Sequence, residues 1–294
     1  MSSKRILLSV VTLFCAFLFI GTVFAQEGAI PSEVTQDVTL SAGDLGVASP
    51  TLLPDSSLYF LKEWWRGAKS IFTRNSASKA KQELMVANER LAEVQKMLDG
   101  VSPQFFKKNE DGSVTVDIAN DAALPKLGRI KEAIWKYKKN MQNAKDSIGD
   151  VPTGGEATDA LLQDWVDNGI KQQRFMSVLE DRVGAPSDKI KEAREQVASL
   201  VAESTLKPDG KEKMKERFEK ALKGQPGSTF KDFKNLEVLG RVQEQVSDEA
   251  KDAIRQAAEN TLRKFEQRLS DGSEDDREKF GKYVESLPGD SAQH

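Results

Sequence analysis

A chain of 294 residues with 43 basic and 46 acidic side chains has room for one or two domains and a formal charge of −3. Charged residues at 30% against 7% aromatics favour amphipathic helices over a sheet-rich core, and the mild acidity argues against a general affinity for nucleic acid. The only cysteine is Cys15 and the only histidine is the last residue, His294, so the inventory excludes thiolate or imidazole metal sites and Ser-His-Asp or Cys-His catalysis.

The first residues read as an address. Lys4 and Arg5 precede Ile6 to Phe24, which is apolar apart from Ser9, Thr12, Gly21 and Thr22. Val23-Phe24-Ala25 then places small residues before a cut, and Gln26-Glu27-Gly28 turns polar. That order is the secretory signal pattern, with residues 1–25 removed. The alternative is an uncleaved anchor, since residues 6–24 as a helix would span ~28 Å of a ~30 Å hydrocarbon core. Either way the remainder is expected outside the cytoplasm, and membrane contact is expected only through residues 6–24 if they are retained. Cys15 lies in the middle of the run rather than at its end, which discounts a lipidated first residue. Removal of Lys4 and Arg5 takes the charge from −3 to −5. No cysteine then remains for a disulfide, so stability must come from burial. Residues 26–53, rich in Ser, Thr, Gly and Ala and containing Pro31 and Pro50, read as a flexible tether.

Helical spacing follows. Asp55 or Ser56 can cap a helix whose apolar stripe runs Leu58, Leu61, Trp65, Ala68 and Phe72. Residues 75–99 repeat the pattern with Ala80, Leu84, Ala87, Leu91, Val94 and Leu98, and Gly100 stops it. The short turn between them predicts an antiparallel helical hairpin. Phe105 to Ile118 breaks the rhythm: Asp111-Gly112 between Phe105-Phe106 and alternating Val114, Val116 and Ile118 predicts a small β-hairpin. Helix resumes near Asn120 with Leu127, Ile130, Ile134, Tyr137, Met141, Ala144 and Ile148 inward. Pro152-Thr153-Gly154-Gly155 is a linker, and the next stripe is Leu162, Trp165, Gly169, Gln172, Met176, Leu179 and Val183.

An internal repeat comes next. Ser187 to Gln196 aligns with Ser247 to Gln256, each beginning Ser-Asp after a helix that ends in valine, Val183 or Val246. Ser-Asp reads as a helix N-cap with an acidic first turn. A separate shorter helix is expected over 209–223, with Met214, Phe218 and Leu222 inward, then a loop at Gly224-Gln225-Pro226-Gly227. A final helix holds Phe280, Val284 and Leu287. The expected fold is all-α: successive antiparallel helical hairpins, as a bundle or short irregular array, with one β-hairpin insertion near 105–118. The division is 1–25 signal or anchor, 26–53 tether, 54–150 N-terminal helices with the insertion, and 156–288 C-terminal repeat region.

The stretch Ser49-Pro50-Thr51-Leu52-Leu53-Pro54-Asp55-Ser56-Ser57-Leu58-Tyr59-Phe60-Leu61-Lys62-Glu63-Trp64-Trp65, with Phe72-Thr73 and Ala87-Asn88-Glu89-Arg90-Leu91-Ala92-Glu93, resembles the bacterial domain of unknown function 5667. That family opens Leu-Pro-Asp-Ser-x-Leu-Tyr-x-Leu-Lys and has a later Arg-Leu-x-Glu. Asn235 to Val242 is similar to helical repeats that accompany it in exported proteins. The resemblance implies a bacterial envelope or extracellular helical protein and brings no activity with it.

Chemistry-bearing candidates are few. Tyr59, Phe60, Trp64 and Trp65 cannot all face one way on a helix. Trp65 falls on the inward stripe, whereas Trp64 points about 100° away beside Phe60. Either those two pack on a later helix, or they form an exposed patch with Lys62 and Arg66 beside it. The candidate partner contacts are therefore Trp64, Phe60, Arg66 and Phe105. The helix around Trp135 carries Lys126, Arg129, Lys131, Lys136, Lys138, Lys139 and Lys145. It reads as a solvated face or, alternatively, as a polyanion- or glycan-binding face. The acidic loop at 109–112 does not complete a calcium loop, because Lys107 and Ile118 would fall at its ligand positions one and twelve, and at 271–276 Ser270-Asp271 preceding Glu274 reads instead as a helix N-cap. No Asp or Glu stands in an apolar context that would raise its pKa, so a carboxylate hydrolase is a distant alternative. The sequence thus reads as a non-enzymatic exported binding or structural protein of a bacterial envelope. It calls for no catalytic residue, metal or cofactor, and its partner is an unidentified envelope protein or polymer.

Overall fold

The computed structural model describes residues 41–56, 58–73, 75–101, 106–108, 114–116, 123–152, 154–182, 187–223, 235–236, 238–240, 242–243, 248–274 and 277–278. The fold is all-α. A 3-10 turn, Ala42–Leu45, precedes α1 (Tyr59–Phe72) and α2 (Ser76–Asp99); after the strands β1 (Phe106–Lys108) and β2 (Val114–Val116) come α3 (Ala123–Gly149), α4 (Glu156–Arg182), α5 (Ser187–Lys223) and α6 (Asp248–Asp271). The two strands pair antiparallel, Phe106 opposite Val116 and Lys108 opposite Val114. Phe105 and the Asp111-Gly112 turn lie outside the described residues, as do the apolar run 6–24 and the final helix expected over 280–287.

The core follows the three-and-four spacing of α2 to α5. Leu84, Leu91 and Val94 of α2 meet Ile130, Ile134 and Met141 of α3, Leu162 and Trp165 of α4, and Val197 and Val201 of α5 in one buried cluster. Full burial of each such side chain is worth about 1.5–3 kcal/mol. Helix directions are legible in the polar contacts. Asn140 of α3 donates to Glu83 of α2 at 2.6 Å, and Lys126 near the start of α3 donates to the Gly100 carbonyl at 3.1 Å, so α2 and α3 run in opposite senses. Gln173 to the Arg194 carbonyl at 2.7 Å and Gln163 to the Arg217 carbonyl at 3.1 Å give α4 and α5 the same opposition. Gly169 lets α4 and α5 approach closely: a Cβ there would lie 2.5 Å from Val201 Cγ2.

Several polar residues on the inner faces bond to one another within the bundle. Asn88 of α2 donates to the Leu45 carbonyl at 2.9 Å and to Asn168 Oδ1 at 2.7 Å. Gln172 of α4 donates to Asn88 at 2.6 Å and accepts from the Tyr137 hydroxyl at 3.0 Å. This chain explains why a glutamine stands on the apolar stripe of α4, since a buried amide needs such partners.

Three expectations change. Ser41 onward, assigned to the tether, is packed: Ala42 and Leu45 are buried against the core, and Asp44 caps the turn by accepting from the Ser41 backbone and hydroxyl at 2.8 and 3.0 Å. Residues 187–223 form one helix rather than two. Ile190, Ala193, Val197 and Val201 share a buried face with Met214, Phe218 and Ala221. The helical phase survives Pro208, whose cost of ~3 kcal/mol is smaller than that of exposing either half of the stripe. The third change concerns α1.

Candidate functional site

The stripe assigned to the inside of α1 faces out. Trp65 is 65% exposed, Leu58 53% and Leu61 49%, and Phe60 and Trp64 are exposed at 64% and 67%. The reason lies on α2. Its apolar side is consumed by the core, leaving Glu89, Arg90 and Glu93 as the surface on which α1 can dock. Only the opposite, charged side of α1 complements that surface, so Tyr59, Lys62, Glu63 and Arg66 turn inward. Ser56 supports the entry to α1 by accepting from the Leu58 N–H at 3.3 Å.

Glu93 is the hub, with no accessible side-chain surface. It accepts from the Tyr59 hydroxyl at 2.6 Å, Lys62 Nζ at 2.7 Å and Arg66 Nη2 at 2.9 Å. Arg66 also reaches Glu89 at 2.5 Å and Glu63 at 2.8 Å. Arg90 holds Glu63 through both carboxylate oxygens, at 2.6 and 2.5 Å. It also donates to the Tyr59 hydroxyl and lies 5.7 Å over that ring. Lys136 of α3 adds a contact to Glu63 at 3.4 Å. The paired residues fall in reverse order, Lys62 with Glu93, Arg66 with Glu89 and Thr73 with Gln82, so α1 and α2 are antiparallel.

The electrostatics follow from burial set against charge. Burial pushes the Glu63 carboxyl upward, but the hydrogen bonds and charges of Arg90 and Arg66 outweigh it and hold the group at about 2. Burial likewise raises Glu93, and Arg66, Lys62, Tyr59 and Arg90 together bring it below the usual carboxylate range. Tyr59 is pushed well above an ordinary phenol by burial and then by Glu93. All three groups are held in single protonation states near neutrality, which suits a clamp better than proton transfer.

Of the candidate contacts, Phe60 and Trp64 are on the surface. Arg66 is committed to the clamp and does not present its charge outward, and Phe105 lies outside the described residues. The residues missed in the sequence are Tyr59, Glu63, Glu89, Arg90 and Glu93. Their signal was the opposed spacing of 59/62/63/66 and 89/90/93.

The basic helix α3 is largely engaged. Lys138 pairs with Glu192 and Lys145 with Glu203, each at 2.5 Å, and Lys136 with Glu132 at 2.8 Å. Tyr137 is buried, while Trp135 is exposed beneath Lys139, 5.5 Å from the ring. One carboxylate departs from expectation: burial raises Asp167, partly offset by a hydrogen bond from Gln163 at 2.8 Å. A depression of about 440 Å³ between α5 and α6 is lined by Glu219, Leu222, Asn260 and Lys264 among others. Among the described residues no group of His, Cys, Asp or Glu is arranged to hold a metal ion.

The site therefore defines a class: a helical protein whose helix α1 is clamped by charge and displays its apolar side. Residues 51–112 match the family described as Domain of unknown function (DUF5667), a segment that contains both the clamp and the exposed face. Neither the curated proteins nor the solved structures yield a match.

Proposed function

We propose that this is a non-enzymatic, exported helical binding protein of a bacterial envelope. It is built from successive antiparallel helical hairpins with a β-hairpin insertion over 105–118, and it acts through the outward face of α1. The observation that carries this reading is the inversion of α1. Five of the seven large apolar side chains exposed among the described residues, Leu58, Phe60, Leu61, Trp64 and Trp65, lie on or beside that one helix. Contiguous apolar surface on a soluble domain marks an interaction site. The clamp beneath holds it in place by buried charge, so the exposure is built in rather than left over. The signal-like residues 1–25 support the address.

The test is capture from the protein's own envelope fraction by crosslinking, with the wild-type chain and with Phe60→Ala/Trp64→Ala. The reading expects loss of captured material by the variant while its melt stays unchanged. Equal capture by both chains would overturn it.

A further inference from the structure

Resting on that reading, we infer that the occupant of the α1 face is the surface of a phospholipid bilayer, with α1 lying in the membrane interface. Four observations on this chain converge. The first is chemical. Two tryptophans, a phenylalanine and Leu61 stand on one side of α1, with Leu58 just before it. Trp exposed together with Leu and Phe is the chemistry found at the headgroup–acyl boundary of a bilayer.

The second is area. At ~150–250 Å² per aromatic side chain, three aromatics that are two-thirds exposed present on the order of 400 Å². A standard protein interface needs ~800 Å² from each partner. A single convex helix falls short of that, whereas a bilayer needs no shape complementarity.

The third is charge. Lys69 on α1 is exposed, and α3 lies beside the same segment through Lys136–Glu63 at 3.4 Å and Arg129 to the Pro54 carbonyl at 3.4 Å. Arg129, Lys131 and Lys139 of α3 are exposed and can meet anionic headgroups despite the net acidity of the chain. The fourth is reach. Sixteen residues separate Phe24 from Ser41, where the packed part begins, at most ~50–60 Å of chain at ~3.3–3.6 Å each, enough to lay α1 on a membrane that retains residues 6–24. The clamp makes the device permanent, because α1 docks with its lipid-facing side already outward.

The experiment uses the chain from Gln26 to His294 carrying Trp135→Phe, so that residues 6–24 cannot insert, the exposed tryptophans are Trp64 and Trp65, and the buried Trp165 supplies a constant background. It is mixed with phosphatidylglycerol–phosphatidylcholine vesicles whose acyl chains are brominated. The inference expects quenching of Trp64 and Trp65 by the brominated chains, and roughly tenfold or more of a Trp64→Ala/Trp65→Ala variant than of the parent to relieve that quenching by displacing the parent from the vesicles. Circular dichroism of that variant should match the parent. Full acrylamide access to both tryptophans with vesicles present would overturn the bilayer. Protection that appears without lipid and grows with protein concentration would assign the face to a second copy instead. Protection given only by isolated envelope polymer would overturn the bilayer yet leave the binding reading standing. Access retained even in the whole envelope fraction would overturn both.

Discussion

Glu93→Gln is the sharpest single probe of the clamp. The substitution keeps the volume and removes one charge, but it replaces an acceptor oxygen by an N–H donor. In the native protein the two Glu93 oxygens receive Tyr59, Lys62 and Arg66 within 2.6–2.9 Å, with Arg90 at 3.3 Å. After substitution, Arg90 is left with 5% of its side chain accessible and one fewer counter-charge. Removing one partner of a buried ion pair costs ~3–5 kcal/mol, because the remaining charge stays desolvated. Against a total stability of ~5–15 kcal/mol that is a large share. Urea denaturation followed by far-UV circular dichroism reads it directly, with the slope checked for a change in two-state behaviour. If Glu93→Gln unfolds within about 0.5 kcal/mol of the parent, the clamp is not holding α1 and the reasoning fails.

Three further outcomes follow from the same geometry. Leu91→Ala, at a position 1% exposed, should cost ~2–5 kcal/mol in urea melts. Gly169→Ala should destabilise by ~1–3 kcal/mol through the Val201 clash, whereas Gly67→Ala, with open space around its Cβ, should gain ~0.5–1 kcal/mol in helix α1. The clamp also sets a pH window. Glu63 at about 2 and Glu93, also lowered, contribute stability that is complete above the unfolded value of ~4.3 and lost as pH falls through their folded values. Tyr59, raised, contributes stability complete below ~10 and lost as pH rises above it toward the folded value. Melting temperatures across pH should therefore fall at both ends, and Tyr59→Phe should flatten the alkaline limb.

The helical class and the inner faces of α2, α3 and α4 were legible because their apolar residues repeat at three and four and have partners. Ile130, Tyr137, Met141 and Trp165 sit where that spacing puts them. The same rule misplaced Trp65, since periodicity identifies a face and says nothing about what covers it. On α1 the decision belonged to α2, whose free side is charged. The separate helix expected over 209–223 failed for a related reason: its stripe of Met214 and Phe218 continues the buried face of Val197 and Val201. The buried pair of Arg194 and Glu180 was hidden because Arg194 aligns with the buried Ile254 of the other repeat copy, and an arginine there reads as surface until its partner is seen. Phe60 and Trp64 were legible as surface candidates; Arg66 was not, because its three carboxylate partners are separated from it in sequence or lie on the same turn.

The facing of α1 is the claim on which the rest depends, and paired urea melts of Trp65→Ala and Arg66→Ala test it most directly. With Trp65 exposed and Arg66 inside the clamp, Trp65→Ala should stay within about ±0.5 kcal/mol and Arg66→Ala should lose ~3–5 kcal/mol. Several kcal/mol lost by Trp65→Ala with little lost by Arg66→Ala would mean that the helix packs by its apolar side, contradicting both the clamp and the surface it displays.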